Sequence, residues 1–225
     1  MNPQINPGKQ VERMDKDQKD YWNKVANQKV FTHPLNMALF KRFVNESATI
    51  LDFGCGYGRM VELLNHNGYS NVCGFDTSIE LVNRGKRNGV KGLFHIDSPI
   101  DLPLKDDSID SILLFAVLTC LPDNLHQLEL IETLTLKLKR GGIIYISDYY
   151  LQDRSTEMER YENYNGDEDN FGVFTLPEGV TLRHHTKQWI MLLLKNLKIL
   201  SEDLINVKTM NGNSAQAFQI IAKKT

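Results

Sequence analysis

Residues 49–60 read TILDFGCGYGRM: a short apolar run, then glycine at every second position, Gly54, Gly56 and Gly58. Ile50, Leu51 and Phe53 predict a buried strand. The residues from Gly58 to Asn67 (GRMVELLNHN) predict a helix straight after it. The glycines therefore fill a strand-to-helix turn. Glycine reaches positive φ and carries no Cβ, so a ligand can lie against such a backbone. The helix start adds unpaired N–H groups and partial positive charge, which suit a carboxylate or phosphate.

Outward from this turn the same unit repeats. NVCGF (71–75) reads as a strand and SIELVNRGKRN (78–88) as a helix. GLFHI (92–96) is a third strand and SIDSILLFAV (108–117) a fourth. DNLHQLELIETLTLKLK (123–139) is a helix that Arg140-Gly141-Gly142 stops, and IIYISDYY (143–150) is strand five. Apolar strands alternating with helices predict a parallel sheet covered on both faces. QWIMLLLKNL (188–197) is a further helix. KILSEDLINVK (198–208) and SAQAFQIIAKK (214–224) have no helix between them and read as an antiparallel pair. Before the turn, DQKDYWNKVANQKV (17–30) has helical spacing, and FTHPLNMALFKRFV (31–44) starts a second helix with Pro34 in its first turn and Leu35, Leu39 and Phe43 on one face. Residues 1–16 are expected to be mobile. Residues 151–187 break the alternation, and a loop of that length in a compact domain is often a functional lid.

The 225 residues suit one domain with a sizeable core, taken as 1–225. Net charge is −2, so no basic excess exists to hold a nucleic-acid backbone. No apolar run approaches membrane-spanning length, and the polar N-terminus has no leader-like apolar core. Cys55, Cys73 and Cys120 form no CxxC pair and read as reduced, mostly buried thiols of a cytoplasmic protein, with no disulfide or zinc framework and no metal site expected. Small molecules or other proteins remain as partners, the chain acting as monomer or homodimer.

The dinucleotide fingerprint G-x-G-x-x-G would place its third glycine where Arg59 stands. The spacing D-x-G-x-G-x-G, from Asp52 to Gly58, instead resembles the first motif of class I S-adenosylmethionine-dependent methyltransferases. NVCGFDTS, FHIDSPIDLPLKDDSIDSILLFAVLTCL and LKRGGIIYISD resemble that family's later motifs, in order and spacing, across roughly 49–148. The resemblance implies a Rossmann-like α/β fold with a seven-stranded sheet in the order 3-2-1-4-5-7-6, strand 7 antiparallel. It implies S-adenosyl-L-methionine as cofactor, with S-adenosyl-L-homocysteine as product, and a small-molecule acceptor.

Residue roles follow from the same resemblance. Gly54, Cys55, Gly56 and Gly58 form the cofactor turn, with Asp52 acting through water or by orienting it. Asp76, with Thr77 beside it, accepts from the ribose hydroxyls; alternatively it caps the next helix together with Thr77 and Ser78. Asp97 accepts from the adenine amino group and Ser98 offers backbone polar groups; alternatively Asp97 is a turn residue before Pro99. Ile96, Val117 and Leu118 flank the ring or are core. Backbone at Phe115 and Ala116 accepts from the methionine amino group. Residues 1–46 form an N-terminal helical lid, with Trp22, Lys29, Phe31 and Thr32 as candidates to cover the cofactor, or else simply pack.

A sulfonium-borne methyl is already electrophilic, so transfer needs an aligned nucleophile more than a dedicated triad. A base serves only an acceptor that arrives protonated. Candidates are His184, His185 and Tyr149, with Tyr150 and Asp148 also at the ligand edge. The paired histidines are otherwise a helix entry before Thr186, one buried and one solvated. The 151–187 insert, with Tyr161, Tyr164, Phe171 and Phe174, is expected to cap the acceptor side, and GDEDN (166–170) to be a solvated tip. Arg154, Arg160 and Arg183 bind an acidic acceptor or pair within the insert. Two other readings compete: a methyltransferase-like module that binds without turnover, and an NAD-dependent oxidoreductase.

Overall fold

Strand β1 (Ile50–Phe53) is buried along its whole length, and this follows from its place in the sheet. It pairs parallel with β2 (Val72–Asp76) on one side and β4 (Ile109–Phe115) on the other. The computed structural model describes residues 18–163 and 171–225. The expected mobile end over 1–16, Tyr164 and the GDEDN tip lie outside the described residues.

The main sheet has seven strands in the order β3-β2-β1-β4-β5-β9-β8, with β3 Leu93–His95, β5 Leu138–Tyr149, β8 Leu197–Lys208 and β9 Ser214–Lys224. Strand β9 runs antiparallel to both β5 and β8. The expected order and reversed strand are therefore present. The insert supplies a separate two-stranded hairpin, β6 (Val173–Thr175) with β7 (Thr181–Arg183).

Alternating side chains give the sheet two cores. Leu51, Phe53, Ile112, Leu114, Ile144 and Ile146 pack on one face with Leu130, Ile131 and Leu134 of α5 (Asn124–Lys137) and Ile190 of α7 (Lys187–Leu193). Ile50, Leu113, Ile143 and Tyr145 pack on the other with Phe40 of α2 (Met37–Phe43) and Met60 and Leu64 of α3 (Arg59–His66). Helix α1 covers 18–25 among the described residues, α4 is Ile79–Arg87 and α6 is Ser155–Asn163.

Two local expectations are corrected. Helix α2 begins at Met37, not at Pro34, because the Asn36 side chain accepts from Leu39 N at 3.0 Å and caps the first turn there. Its fully buried residue is Phe40, while Phe43 is exposed. The Arg140-Gly141-Gly142 stretch does not stop α5, which ends at Lys137. The glycines lie within β5, where the register against β4 jumps from Ile109↔Leu138 to Ser111↔Ile143, and Gly141 takes φ +84° to absorb the extra residues.

Among the described residues no helix is long and apolar enough to cross a membrane, and no cluster of three or more His, Cys, Asp or Glu is placed to hold a metal. The three cysteines are free thiols.

Candidate functional site

The glycine turn sits at the carboxyl end of β1, where open parallel sheets bind ligands. Gly54 and Cys55 N–H groups both donate to Phe75 O, at 2.8 and 3.1 Å, which anchors the turn to β2. All three glycines have positive φ. A Cβ on Gly54 would lie 2.4 Å from Val117 Cγ2, and one on Gly56 would lie 2.1 Å from the Phe31 ring. The bare backbone thus lets two walls of a cavity close onto the turn.

That cavity holds about 360 Å³. Asp52, Gly54 and Cys55 form its floor, and Asp76, Thr77, Asp97 and Ser98 its β2–β3 side. Phe115, Ala116 and Val117 supply the β4 side. Ala116 itself takes φ +54°, a left-handed conformation uncommon for a residue with a Cβ. Trp22, Lys29, Phe31 and Thr32 close it from the N-terminal segment. Gly56 and Gly58 do not line it: the first is covered by Phe31 and the second starts α3. Ile96 and Leu118 are core rather than lining.

Asp76 is half-buried. Its Oδ2 accepts from Gly56 N and its Oδ1 from Ser78 N, both at 2.7 Å. Ser78 caps α4 by accepting from Leu81 N, so Asp76 is not that helix's cap. Burial raises the Asp76 carboxyl, and the Ser78 and Gly56 amides oppose the shift. A carboxylate has about four lone-pair sites, so two amides leave capacity for hydroxyls in the cavity. Asp97 stands at the mouth with its side chain 92% exposed, near Lys19 Nζ at 3.8 Å.

Asp52 is the buried acid of the floor. It is 2% exposed, and its Oδ2 has no hydrogen-bond partner. Burial pushes its carboxyl up to about 8; Arg59 opposes this and Asp76 adds to it. Arg59 also lines the cavity, donates to His33 O and leaves its buried Nε unpartnered. A floor with an orphaned carboxylate oxygen and an orphaned guanidinium N–H suits a ligand that carries both an ammonium and a carboxylate. The amino-acid end of S-adenosylmethionine has that composition, and the half-buried Asp76 suits its ribose, so the residues fit the cofactor.

Several contacts hold the stretch around Trp22 to Phe31 in place. Phe31 stacks on Tyr57 with centroids 5.1 Å apart, and its N–H donates to the Tyr57 hydroxyl at 3.1 Å. Trp22 meets Phe31 edge-on at 6.1 Å. Arg84 covers the other side of Tyr57 at 3.9 Å and donates to Ala26 O and Lys29 O. Lys29 donates to Asn211 Oδ1 at 2.6 Å, in the β8–β9 turn, and lies 3.6 Å from Glu178, in the β6–β7 turn.

On the acceptor side the histidines separate. His184 and Tyr149 line the cavity. His185 does not; it bonds Tyr149 O and Gln127 Nε2 at 3.1 and 3.0 Å inside the wall. Adjacent side chains on extended backbone point to opposite faces, which separates the pair. Neither is solvated, at 8% and 1% exposure, and burial lowers both to about 3. Tyr149 is raised by burial first and by Asp148 next. Asp148 is fully buried, with its carboxylate taken by Thr119 N and Tyr149 N, and burial lifts it to about 7. Tyr150 donates to Glu202 and packs on Phe218, away from the cavity. Arg154 and Arg160 line the cavity, whereas Arg183 is buried and donates to Pro122 O.

Sequence reasoning missed His33. It lines the cavity, is 3% exposed, and its Nε2 has no partner. Its Nδ1 lies 2.9 Å from Ser147 Oγ. Burial, then Arg59, lowers it to about 4. The signal available was its place next to Phe31 and Thr32. Gln152, and Thr209, Met210, Asn211 and Asn213 of the β8–β9 turn, also line the cavity.

A parallel sheet reversed by its last strand, with a bare turn after β1 and an acid ending β2, defines the class I methyltransferase fold. The model of the methyltransferase domain family matches residues 26–192, and the chain belongs to that family. An S-adenosylmethionine-dependent methyltransferase from Methanosarcina mazei superposes with TM-score 0.76 at 24% identity, over 83% of this chain and 96% of that one. A Burkholderia thailandensis 1,6-didemethyltoxoflavin-N1-methyltransferase, with 1,6-didemethyltoxoflavin and S-adenosylhomocysteine bound, superposes with TM-score 0.63 at 16% identity, over 100% of this chain and 93% of that one. At such identities the likeness is one of fold. O-methyltransferase 3 of Dictyostelium discoideum is 32% identical over 120 residues, 48% of this chain and 27% of the relative, so the chain spans about a quarter of that protein's length.

Proposed function

We propose that the chain transfers the methyl group of S-adenosylmethionine to an O, N, S or C nucleophile of a small molecule, in the cytoplasm. The observation that carries this reading is the orphaned Asp52 Oδ2 on the floor of the cavity, beside the glycine turn. When bound, the cofactor supplies an electrophilic methyl on a sulfonium. Asp52 would accept from its ammonium, Arg59 would pair with its carboxylate, Asp76 would accept from the ribose hydroxyls and Asp97 would serve the adenine. The backbone at Phe115 and Ala116 would accept from its amino group.

The segment before β1, up to residue 46, serves as a lid, and 151–187 serves as the acceptor-side cap. Covering the cavity would exclude water and hold the nucleophile in line, from which much of the rate of such a displacement can come. The Burkholderia thailandensis enzyme of the same fold has 1,6-didemethyltoxoflavin bound, which supports a small acceptor here.

The test is to incubate the protein with methyl-labelled S-adenosylmethionine and a cell extract separated into small-molecule, protein and nucleic-acid fractions. Label in the small-molecule fraction supports the reading. Label confined to protein or nucleic acid overturns the acceptor class, and no label with any fraction favours a binding module.

A further inference from the structure

We propose that His33 and His184 bind the methyl acceptor as hydrogen-bond donors, each presenting Nε2–H to the cavity, so that the acceptor offers electron-rich oxygen or nitrogen atoms along one edge. This rests on the methyltransferase reading above. It replaces the expectation that His184 acts as a base.

The tautomers follow from counting protons along two hydrogen-bond chains. Gln219 Nε2 lies 2.7 Å from Pro34 O, a carbonyl that can only accept, so this atom is the amide nitrogen. Gln219 Oε1 correspondingly accepts from the Tyr145 hydroxyl at 2.8 Å. The second N–H of Gln219 faces Ser147 Oγ at 3.4 Å. Ser147 thus accepts from Gln219, and its one proton has His33 Nδ1 as partner at 2.9 Å. With Nδ1 accepting, the proton of the neutral ring is on Nε2, the buried atom that has no partner.

A second chain repeats the logic. The Tyr161 oxygen accepts from Gln152 N at 3.2 Å. Its proton therefore goes to His184 Nδ1 at 2.7 Å. That leaves the His184 proton on Nε2 as well. Both rings pack against Tyr149, with centroid separations of 4.7 and 5.1 Å. A histidine base would need a lone pair on the cavity side, and here the lone pairs face Ser147 and Tyr161. The new bond to the methyl carbon would therefore use an electron pair the acceptor already has free, while the carbon–sulfur bond breaks and leaves its pair on sulfur as the thioether of S-adenosylhomocysteine, and no proton would pass to either ring.

The first arm uses protein with nitrogen-labelled histidine, without ligand, at neutral pH. Long-range proton–nitrogen correlation should show N–H-type Nε2 and lone-pair-type Nδ1 for both rings. Ser147→Ala should remove this preference at His33 and leave it at His184. The second arm adds S-adenosylhomocysteine and two ring probes: γ-pyrone, which has oxygen acceptors and no donor, and benzamidine, which at neutral pH has donors and no acceptor. γ-Pyrone should shift both Nε2–H signals and benzamidine neither. His33→Gln, whose amide nitrogen reaches the place of Nε2, should keep the γ-pyrone response at His184. His33→Phe should weaken it about tenfold, the equivalent of one lost hydrogen bond. A lone-pair-type Nε2 in either ring, a preference for benzamidine, or unchanged γ-pyrone binding in His33→Phe would overturn the proposal. Failure to bind S-adenosylhomocysteine would instead strike the methyltransferase reading and leave the tautomer result standing.

Discussion

The carboxylate of Asp76 holds the amide of Gly56 at 2.7 Å, so the acid that ends β2 and the middle glycine of the turn after β1 form one unit. The bond ties the turn's conformation to the residue proposed to hold the ribose. Asp76→Ala is expected to weaken S-adenosylhomocysteine binding by about 1.5–3 kcal/mol, the scale of charge-assisted hydrogen bonds. The thermal midpoint should also fall, because the Gly56 and Ser78 amides lose their acceptor. Calorimetry that returns an unchanged affinity removes Asp76 from the ribose role.

Gly56 and Gly89 both have positive φ, but only Gly56 has a neighbour in the path of a Cβ. Gly89→Ala should cost the backbone term alone, about 1–2 kcal/mol. Gly56→Ala adds a clash with Phe31 and should cost about 1–3 kcal/mol more, with weaker S-adenosylhomocysteine binding. Equal losses in chemical denaturation would mean that Phe31 gives way freely.

Asp52 has a folded-state pKa of about 8 against an ordinary value of 3.8. Between those values the folded protein keeps a proton that the unfolded chain has lost. The Asp52 contribution is therefore fully present below the ordinary value and is lost as pH rises toward 8. Asp52→Asn should flatten that fall and make the ligand-free protein more stable at and above about pH 8, by on the order of a few kcal/mol. The same variant should bind S-adenosylhomocysteine more weakly. Urea titrations across this range read the first effect and calorimetry the second.

Lys29 joins the proposed lid to both hairpin turns through Asn211 and Glu178. Such exposed contacts are worth about 0–1 kcal/mol, so Lys29→Ala should barely change global stability. It should raise the dissociation rate of S-adenosylhomocysteine several-fold, read by stopped-flow fluorescence of Trp22. An unchanged rate would mean that the contacts do not govern release.

Much of this was legible in the residues. Ile50, Leu51 and Phe53 sit mid-sheet with both faces covered, which demands an unbroken apolar run followed by a turn. The SAQAFQIIAKK strand was legible because nothing helical separates it from its partner. The β6–β7 hairpin was not, since three-residue strands carry no usable period. His184 and His185 look alike in sequence, and only the alternation of extended backbone tells them apart. His33 is decided by a contact with Ser147, 114 residues away, which no local pattern announces.

The most direct test of the account is a calorimetric titration of the purified protein with S-adenosylhomocysteine and, separately, with NAD. The account predicts binding of S-adenosylhomocysteine, with a matching rise in thermal midpoint, and none of NAD. Binding of NAD, or no binding of S-adenosylhomocysteine near millimolar concentration, would contradict it.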